Sequence, residues 1–446
     1  MNILKKIVAH KKKEILKMPD FPEKNLKKSD RDFFSALKNS QTFPKIIAEI
    51  KPKSPIAGAI LPPDFSVKKM AKTFEKSGAA AISVLTDFDF FGGKFENLKM
   101  AKSATTKIPI LCKDFIISKK QIRAARFFGA DSFLLIAKIL PREKLFELLK
   151  YGRKFKMEPL VEIADAADFA KIQNLGAKII GINNRDLTTF SLDLFRTFLF
   201  AKKFQNGEII ASLSGFSGAD ARFVRGVADA ILVGSSIGKS QKIAEFLRPK
   251  ILKKLCGVRK FSDFERAKKI DANVFGLNFV ENSRRKILEK VAKKIAEKKE
   301  NSKFFGVFQN ASPDFCAEKC RNFRLDFCQL HGDENPADFQ NFPRPIVRAI
   351  KIFDEKTAIS EILKWEKICD FFLFDGKNPG SGERFDFEIF KKIRKKIKKP
   401  FLIAGGISPE NFLEIAEKSG ADGVDVASGI EKNGKWDFEK IAKFFE

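Results

Sequence analysis

Tyrosine is almost absent: the 446-residue chain holds one, Tyr151, against 49 phenylalanines, and it holds only two histidines. With so few histidines there is little from which to build a zinc site. The six cysteines (Cys112, Cys256, Cys316, Cys320, Cys328, Cys369) are scattered and form no CxxC pair. Cys316 and Cys320 stand one helical turn apart, yet with only two histidines in the chain a zinc site is not expected. No metal and no organic cofactor is expected, and a reduced, cytoplasmic setting is the economical reading. No apolar run reaches the length of a membrane span. The N-terminal MNILKKIVAHKKKEILKM is basic but lacks a continuous apolar core and a small-residue cleavage site, so no secretory signal is expected. The excess of Phe over Tyr has no explanation in the sequence, since AT-rich coding would raise both.

Acidic residues are also outnumbered, 56 Asp+Glu against 85 Lys+Arg, giving a net charge of +29. Such a charge invites a nucleic-acid reading. The lysines, however, are spread along the whole chain on helix-like stretches such as KKIRKKIKK (391–399), and no nucleic-acid motif accompanies them. A solvated lysine-rich surface is expected, with no specific nucleic-acid partner. The field can draw in anionic small substrates. A polyanion-binding protein stands as the non-enzyme alternative.

What is present is a repeated pattern. Residues 209–237 (IIASLSGFSGADARFVRGVADAILVGSSI) and 401–430 (FLIAGGISPENFLEIAEKSGADGVDVASGI) share one plan. Each is an apolar strand ending in small residues, a helix, a second apolar strand and a Gly/Ser cluster. Small residues after two successive strands suit a phosphate cup of backbone N–H groups, and a (β/α)₈ barrel builds that cup after strands seven and eight.

Strand-like runs fit this count. The first half has KIIAEIK (45–51), AAISVLT (80–86), IPILCKD (108–114), SFLLIA (132–137), EPLVEI (158–163), KIIGINN (178–184), EIIASLS (208–214) and ADAILVG (228–234). The second has LKKLCGV (252–258), VFGLNFV (274–280), FFGVFQN (304–310), DFCQLHG (326–332), PIVRAIK (345–351), FFLFD (371–375), FLIAGG (401–406) and GVDVAS (423–428). Continuous apolar runs separated by helix-length spacers indicate parallel strands covered on both faces. No GxGxxG follows a first strand, which disfavours open dinucleotide-binding sheets. The expected fold is α/β: two tandem (β/α)₈ barrels, residues 1–248 and 249–446, with an N-terminal helical extension before residue 45.

Polar residues gather at strand C-termini, where barrel chemistry sits. In the first half Glu49 and Lys51 are two apart and so share a face. Lys113, Glu162, Asn183 and Arg185 end later strands. Two acids and two lysines can move protons, while Asn183 and Arg185 suit a carboxylate or an aromatic amine. In the second half Cys256 ends the first strand and Asp375 the sixth. A thiolate base opposite a carboxylic acid can shift a proton between adjacent sugar carbons. His331, at another strand end in QLHGDE (329–334), is pointed evidence of use in so His-poor a chain.

EIKPKSP, VLTDFDFFGG (84–93), LCKDF (111–115), LVEI (160–163), INNRDL (182–187), SGF (214–216) and LVGSSI (232–237) together resemble indole-3-glycerol-phosphate synthase over residues 1–247. The resemblance implies decarboxylation and cyclisation of 1-(2-carboxyphenylamino)-1-deoxyribulose 5-phosphate. It makes Lys113 the general acid and gives Glu162 the dehydration step. Lys51 and Glu49 become the charged pair, with Lys51 near the substrate carboxylate, and Asn183 and Arg185 hold the anthranilate end. Ser54, Ser214, Gly215, Gly234 and Ser235 become phosphate contacts, and Phe90 or Phe91 lies against the aromatic ring. One departure stands out: the family usually has SESGI where this chain has SLSGF, so Leu213 replaces a glutamate. An isomerase-only protein with an impaired first barrel is therefore an alternative.

CGVRK, FGLNFVENSRRKI (275–287), GVFQN, LDFCQLHGDE, VRAIKI, FLFDGKNPGSGERFDF (372–387), IAGGISPENF and VDVASGIEKNGKWD resemble phosphoribosylanthranilate isomerase over about 251–446. That resemblance implies an Amadori rearrangement with Cys256 as base and Asp375 as acid. Arg285, Gln329 and His331 would shape the substrate site, and Gly382, Gly405, Gly406, Ser428 and Gly429 the phosphate side. Arg284 stands where the family usually has proline. The isomerase product is the synthase substrate, and the fusion order resembles the bifunctional enzyme of tryptophan biosynthesis. The expected partners are phosphorylated anthranilate–ribose substrates, with no membrane partner, and a monomer is expected.

Overall fold

The computed structural model describes all residues except 1–2, 40–44, 186–191, 205–206, 217, 241–242, 248 and 377–386. The chain divides into two compact units, Met1–Lys250 and Ile251–Glu446.

In the first unit the apolar runs form β1 (Lys45–Ile50), β2 (Ala81–Leu85), β3 (Ile110–Lys113), β4 (Ser132–Ile136), β5 (Leu160–Ile163), β6 (Ile179–Asn183), β7 (Ile209–Leu213) and β8 (Ala230–Val233). Each pairs in parallel with its neighbour, and β8 closes on β1 from Lys45↔Ala230 to Ala48↔Val233. Inward residues such as Ile47, Leu111, Leu134, Leu160, Ile179 and Leu232 form one lumen cluster. Two helices precede the barrel, α1 (Ile3–Lys17) and α2 (Phe33–Asn39). α2 sends Phe33 and Leu37 into the lumen cluster. α1 buries Leu4, Ile7 and Lys11, the three- and four-residue spacing of one helix face. Lys11 is the odd member, a cation on the buried stripe.

The second unit repeats the plan with β9 (Leu252–Cys256), β10 (Val274–Asn278), β11 (Lys303–Phe308), β12 (Phe327–Leu330), β13 (Ile346–Lys351), β14 (Phe371–Asp375), β15 (Phe401–Ile403) and β16 (Gly423–Val426). β16 closes on β9, with Lys254 paired to Asp425. Phenylalanine fills this lumen. Phe305 and Phe327 stack with ring centroids 4.3 Å apart, and Phe371 meets Phe327 edge-on at 5.7 Å. Since β12 and β14 are not neighbours, the second contact reaches across β13 inside the barrel. Asp165, Ser312, Asp354 and Asp437 cap outer helices by accepting from first-turn amides.

Both units are thus (β/α)₈ barrels. Several strands end earlier than their sequence runs. FLIAGG stops pairing at Ile403 because Gly405 and Gly406 take φ of 83° and 66°. EIIASLS stops at Leu213 because Ser214 and Gly215 take 71° and 88°. Left-handed residues end a strand and turn its backbone N–H groups towards the barrel mouth. The helix between β7 and β8 is a 3₁₀ segment, Gly218–Val224, whereas its counterpart between β15 and β16 is α-helical, Phe412–Ser419. No described helix is long and apolar enough to cross a membrane.

Candidate active sites

At the C-terminal mouth of the first barrel lies a cavity of about 350 Å³. Of the residues named above for this half it gathers Glu49, Lys51, Ser54, Phe91, Lys113, Glu162, Asn183, Arg185, Ser214, Gly215, Gly234 and Ser235. The charges alternate around it. Lys51 Nζ lies 3.0 Å from Glu49 Oε1, and Lys113 Nζ lies 3.7 Å from Glu162 Oε2. Asn183 Nδ2 donates to Glu162 Oε1 at 3.0 Å, and Ser83 Oγ donates to Glu49 Oε2 at 3.3 Å. Burial pushes the Glu49 carboxyl up, but Lys51 and Lys113, with the Lys51 and Ser83 hydrogen bonds, outweigh it and hold it below its ordinary value. Glu49 is therefore a fixed anion between two ammonium groups.

Gly234 has a steric reason to lack a side chain: a Cβ there would stand 2.5 Å from Glu49 Oε1. Gly215 likewise sits under Leu192, whose Cδ1 would be 2.4 Å from an added Cβ. Ser236 Oγ donates to the Phe216 carbonyl at 2.8 Å, tying the two cup loops together. Leu213 is buried in the cavity wall, an apolar surface among these charges.

Of the two phenylalanines, Phe91 lines the cavity, while Phe90 packs edge-on against His10 at 5.8 Å. Phe91 is joined by Phe115, ring centroids 5.9 Å apart. Phe115 lies inside LCKDF, but nothing in the motif separated it from a core residue. Ile3, Leu4 and Ile7 of α1 also line the cavity. The extension was legible as a helix, not as a wall of the site. It is held there by Lys11, whose Nζ lies 2.9 Å from Asp87 Oδ2, 3.0 Å from Asp114 Oδ1 and 2.7 Å from Glu14. Asp87 in turn accepts from the amides of Phe90 and Phe91, and Asp114 from that of Phe115.

In the second barrel Cys256 and Asp375 end β9 and β14. Asp375 Oδ1 accepts from the Gly376 amide at 2.8 Å, and a Cβ on Gly405 would come within 2.9 Å of that oxygen. Burial raises its pKa to about 6; Gly376 opposes this, the Asp425 carboxylate adds to it, and Lys254 and Lys351 oppose it weakly. Near neutrality a useful share of Asp375 is protonated, as a general acid requires. Burial, with Lys254, Arg348 and Lys351, pushes His331 down to about 3, so its imidazole is neutral. It contacts Gln329 Nε2 through its own Nε2. Arg285 makes a bidentate pair with Glu431, both contacts 2.8 Å, and its stem fills the space above Gly257, where a Cβ would meet Arg285 Cδ at 2.7 Å. Gly406 follows Gly405 at the end of β15, and Ser428 opens a 3₁₀ turn after β16. Gly429 packs on the Ile407 carbonyl, 1.9 Å from where a Cβ would stand, so the two loops interlock. Gly382 lies outside the described residues. Among the described residues no cluster of His, Cys, Asp and Glu is arranged to hold a metal ion.

Comparison with known proteins matches residues 4–249 to the family "Indole-3-glycerol phosphate synthase" and residues 253–446 to "N-(5'phosphoribosyl)anthranilate (PRA) isomerase". The "Tryptophan biosynthesis protein TrpCF" of Buchnera aphidicola subsp. Schizaphis graminum is 32% identical over 100% of this chain and 98% of its own. Its namesake from Haemophilus influenzae is 32% identical over 99% and 96%. That of Buchnera aphidicola subsp. Schlechtendalia chinensis is 33% identical over 96% and 94%. With both barrels matched in order and along their length, the chain belongs to the family of bifunctional indole-3-glycerol-phosphate synthase/phosphoribosylanthranilate isomerases of tryptophan biosynthesis.

Proposed function

We propose that each reaction runs at its own barrel mouth, on the side chains described above. In the second barrel Asp375 protonates the furanose ring oxygen of phosphoribosylanthranilate. The C–O bond breaks and the anilino nitrogen lone pair forms an iminium. The Cys256 thiolate removes the C2 proton, and the resulting enolamine tautomerises to the ketone. In the first barrel Lys113 protonates that ketone oxygen as the carboxylate-bearing ring carbon attacks. Loss of CO₂ restores the aromatic ring, and Glu162 assists departure of the hydroxyl as water. Lys51, paired with Glu49, faces the substrate carboxylate, while Asn183 and Arg185 hold the anthranilate ring against Phe91. Ser54, Ser214, Gly215, Gly234 and Ser235 take the phosphate in this barrel. Gly382, Gly405, Gly406, Ser428 and Gly429 take it in the other, with Arg285, Gln329 and His331 shaping the sugar site. The reading extends to a cytoplasmic monomer acting on small phosphorylated molecules, with no specific nucleic-acid or membrane partner.

The observation that carries it is the alternating chain Lys51–Glu49 and Lys113–Glu162–Asn183 within one cavity. Crossed half-reaction assays test it. Cys256→Ala and Asp375→Asn should abolish only isomerisation, and Lys113→Ala and Glu162→Gln only indole formation. Loss of both activities from any one change would sink the assignment. A second reading, with the synthase slowed or silent, is favoured by Leu213 alone, an apolar side chain in the cavity wall.

A further inference from the structure

β9 carries Lys254 and Cys256 two residues apart, on one row facing the lumen. Lys254 is wholly buried, a costly place for an ammonium group. Its Nζ donates to Asp425 Oδ2 at 2.6 Å on the adjoining β16, and it sits 5.3 Å above the Phe305 ring. Gly276, the β10 residue paired with Cys256, leaves a notch at this point. A Cβ there would stand 2.7 Å from Cys256 Sγ and 3.2 Å from Lys254 Nζ, so the sulfur and the ammonium share one recess. A barrel lumen needs no ion pair for stability, because apolar residues of like volume serve as well or better. The pair therefore calls for a function, and the nearest reactive atom is the sulfur.

We propose that Lys254, anchored by Asp425, is the positioning residue that stabilises the Cys256 thiolate as it forms opposite the sugar C2–H. The inference rests on Cys256 being the isomerase base. Burial and the Asp425 carboxylate push the thiol up, to about 11, while Lys254 and Arg285 pull it down. Lys254 stays protonated because Asp425 and Cys256 outweigh its own burial. The charged and titratable groups around the sulfur are Lys254 on its own strand, Asp425 on β16 and Arg285 after β10. Across the mouth stand Asp375 on β14, His331 after β12 and Lys351 on β13. Among the described residues the other cation acting on the sulfur, Arg285, is paired with Glu431.

The test uses the full chain and reads the sulfur directly, by the rate of Cys256 alkylation with iodoacetamide, mapped by mass spectrometry at one mildly alkaline pH. A neighbouring charge moves a thiol by about 1–2 pH units, and the nucleophilicity that rises with pKa offsets about half of that, so Lys254→Met should slow alkylation roughly 3- to 15-fold. Lys254→Arg, which keeps the charge, should restore most of the alkylation rate. Isomerase kcat should fall in Lys254→Met with KM within about twofold, and Lys254→Arg should restore most of the loss. Wild-type alkylation in Lys254→Met, or equal slowing in Lys254→Arg, overturns the inference. Isomerase activity surviving in Cys256→Ala overturns the base assignment instead, and does so whatever the alkylation rates. Circular dichroism and melting of the second barrel report whether each variant has folded, and rescue by Lys254→Arg separates tuning from damage.

Discussion

Lys11→Met keeps an unbranched stem of similar length on the buried face of α1 and removes only the charge. Asp87 and Asp114, both buried, then lose a cation at 2.9 and 3.0 Å. Stripping one partner from a buried ionic cluster costs about 3–5 kcal/mol, because the remaining charges stay desolvated. Leu4 and Ile7, the apolar side chains that dock α1, together contribute about 3–6 kcal/mol. The loss is thus comparable to the whole apolar anchorage of the helix. α1 should detach before the barrel unfolds, taking Ile3, Leu4 and Ile7 out of the cavity wall. The expected outcomes are rapid hydrogen exchange along α1, a raised KM for the synthase substrate, and isomerase kinetics unchanged. Where the loss is felt globally, melting of the first barrel should fall by roughly 10 °C, since each kcal/mol moves a domain of this size by about 2–4 °C. Adding Asp114→Asn should recover part of the loss, which a double-mutant cycle measures. Burial alone would discharge Lys11, but Asp114 and Asp87 outweigh it and hold its pKa above the ordinary lysine range. A raised lysine pKa contributes fully below its unfolded value of about 10.4 and fades only as pH climbs through the folded value. The difference between Lys11→Met and wild type should therefore be flat through neutral pH. A stability loss below about 1 kcal/mol, or an equal loss of isomerase activity, would refute this account of how α1 is held.

Three further outcomes are expected. Asp375 ionises near 3.8 when unfolded and near 6 in the barrel, so the native state binds more protons between these values and loses stability as pH rises through them. Asp375→Asn should hence stabilise the second barrel by on the order of 2 kcal/mol in denaturant titrations at pH 8 but not at pH 4, while abolishing isomerisation; an equal gain at both pH values would contradict the burial argument. Gly234→Ala places a Cβ against the Glu49 carboxylate and should lower synthase kcat/KM with isomerase intact; a wild-type rate would mean that the Lys51–Glu49 geometry is not needed. Leu213→Glu adds an acid to the cavity wall and should alter the rate and pH profile of indole formation, and an unchanged profile would remove Leu213 as a brake on that barrel.

The strands were legible because a parallel barrel covers both faces of each, so every strand appears as an unbroken apolar run, FFLFD being the plainest. The site residues were legible where side chains two apart must share a face, as Glu49 and Lys51 do, or where a family motif carried them. Strand ends were less legible. Asparagine, serine and glycine after an apolar run are compatible with continued pairing, and only the positive φ at Ser214, Gly215, Gly405 and Gly406 shows where it stops. Lys254, two residues before Cys256, shares its face, but nothing in LKKLCG shows that barrel closure buries it against Asp425.

By itself the sequence determined two barrels in tandem, the order of their strands and the candidate residues at each mouth, Glu49, Lys51, Lys113 and Glu162 in the first and Cys256 and Asp375 in the second. These follow from period, run length and local spacing, which act between near neighbours along the chain. Only the tertiary structure decided that α1 walls the first cavity and that Lys11, alone among the lysines of IVAHKKKEILK, is its buried anchor. It likewise decided that Lys254 meets both Asp425, 171 positions away, and the Cys256 sulfur. Such contacts depend on barrel closure, which brings the first and last strands side by side, and no local pattern encodes which buried charge will find which partner there.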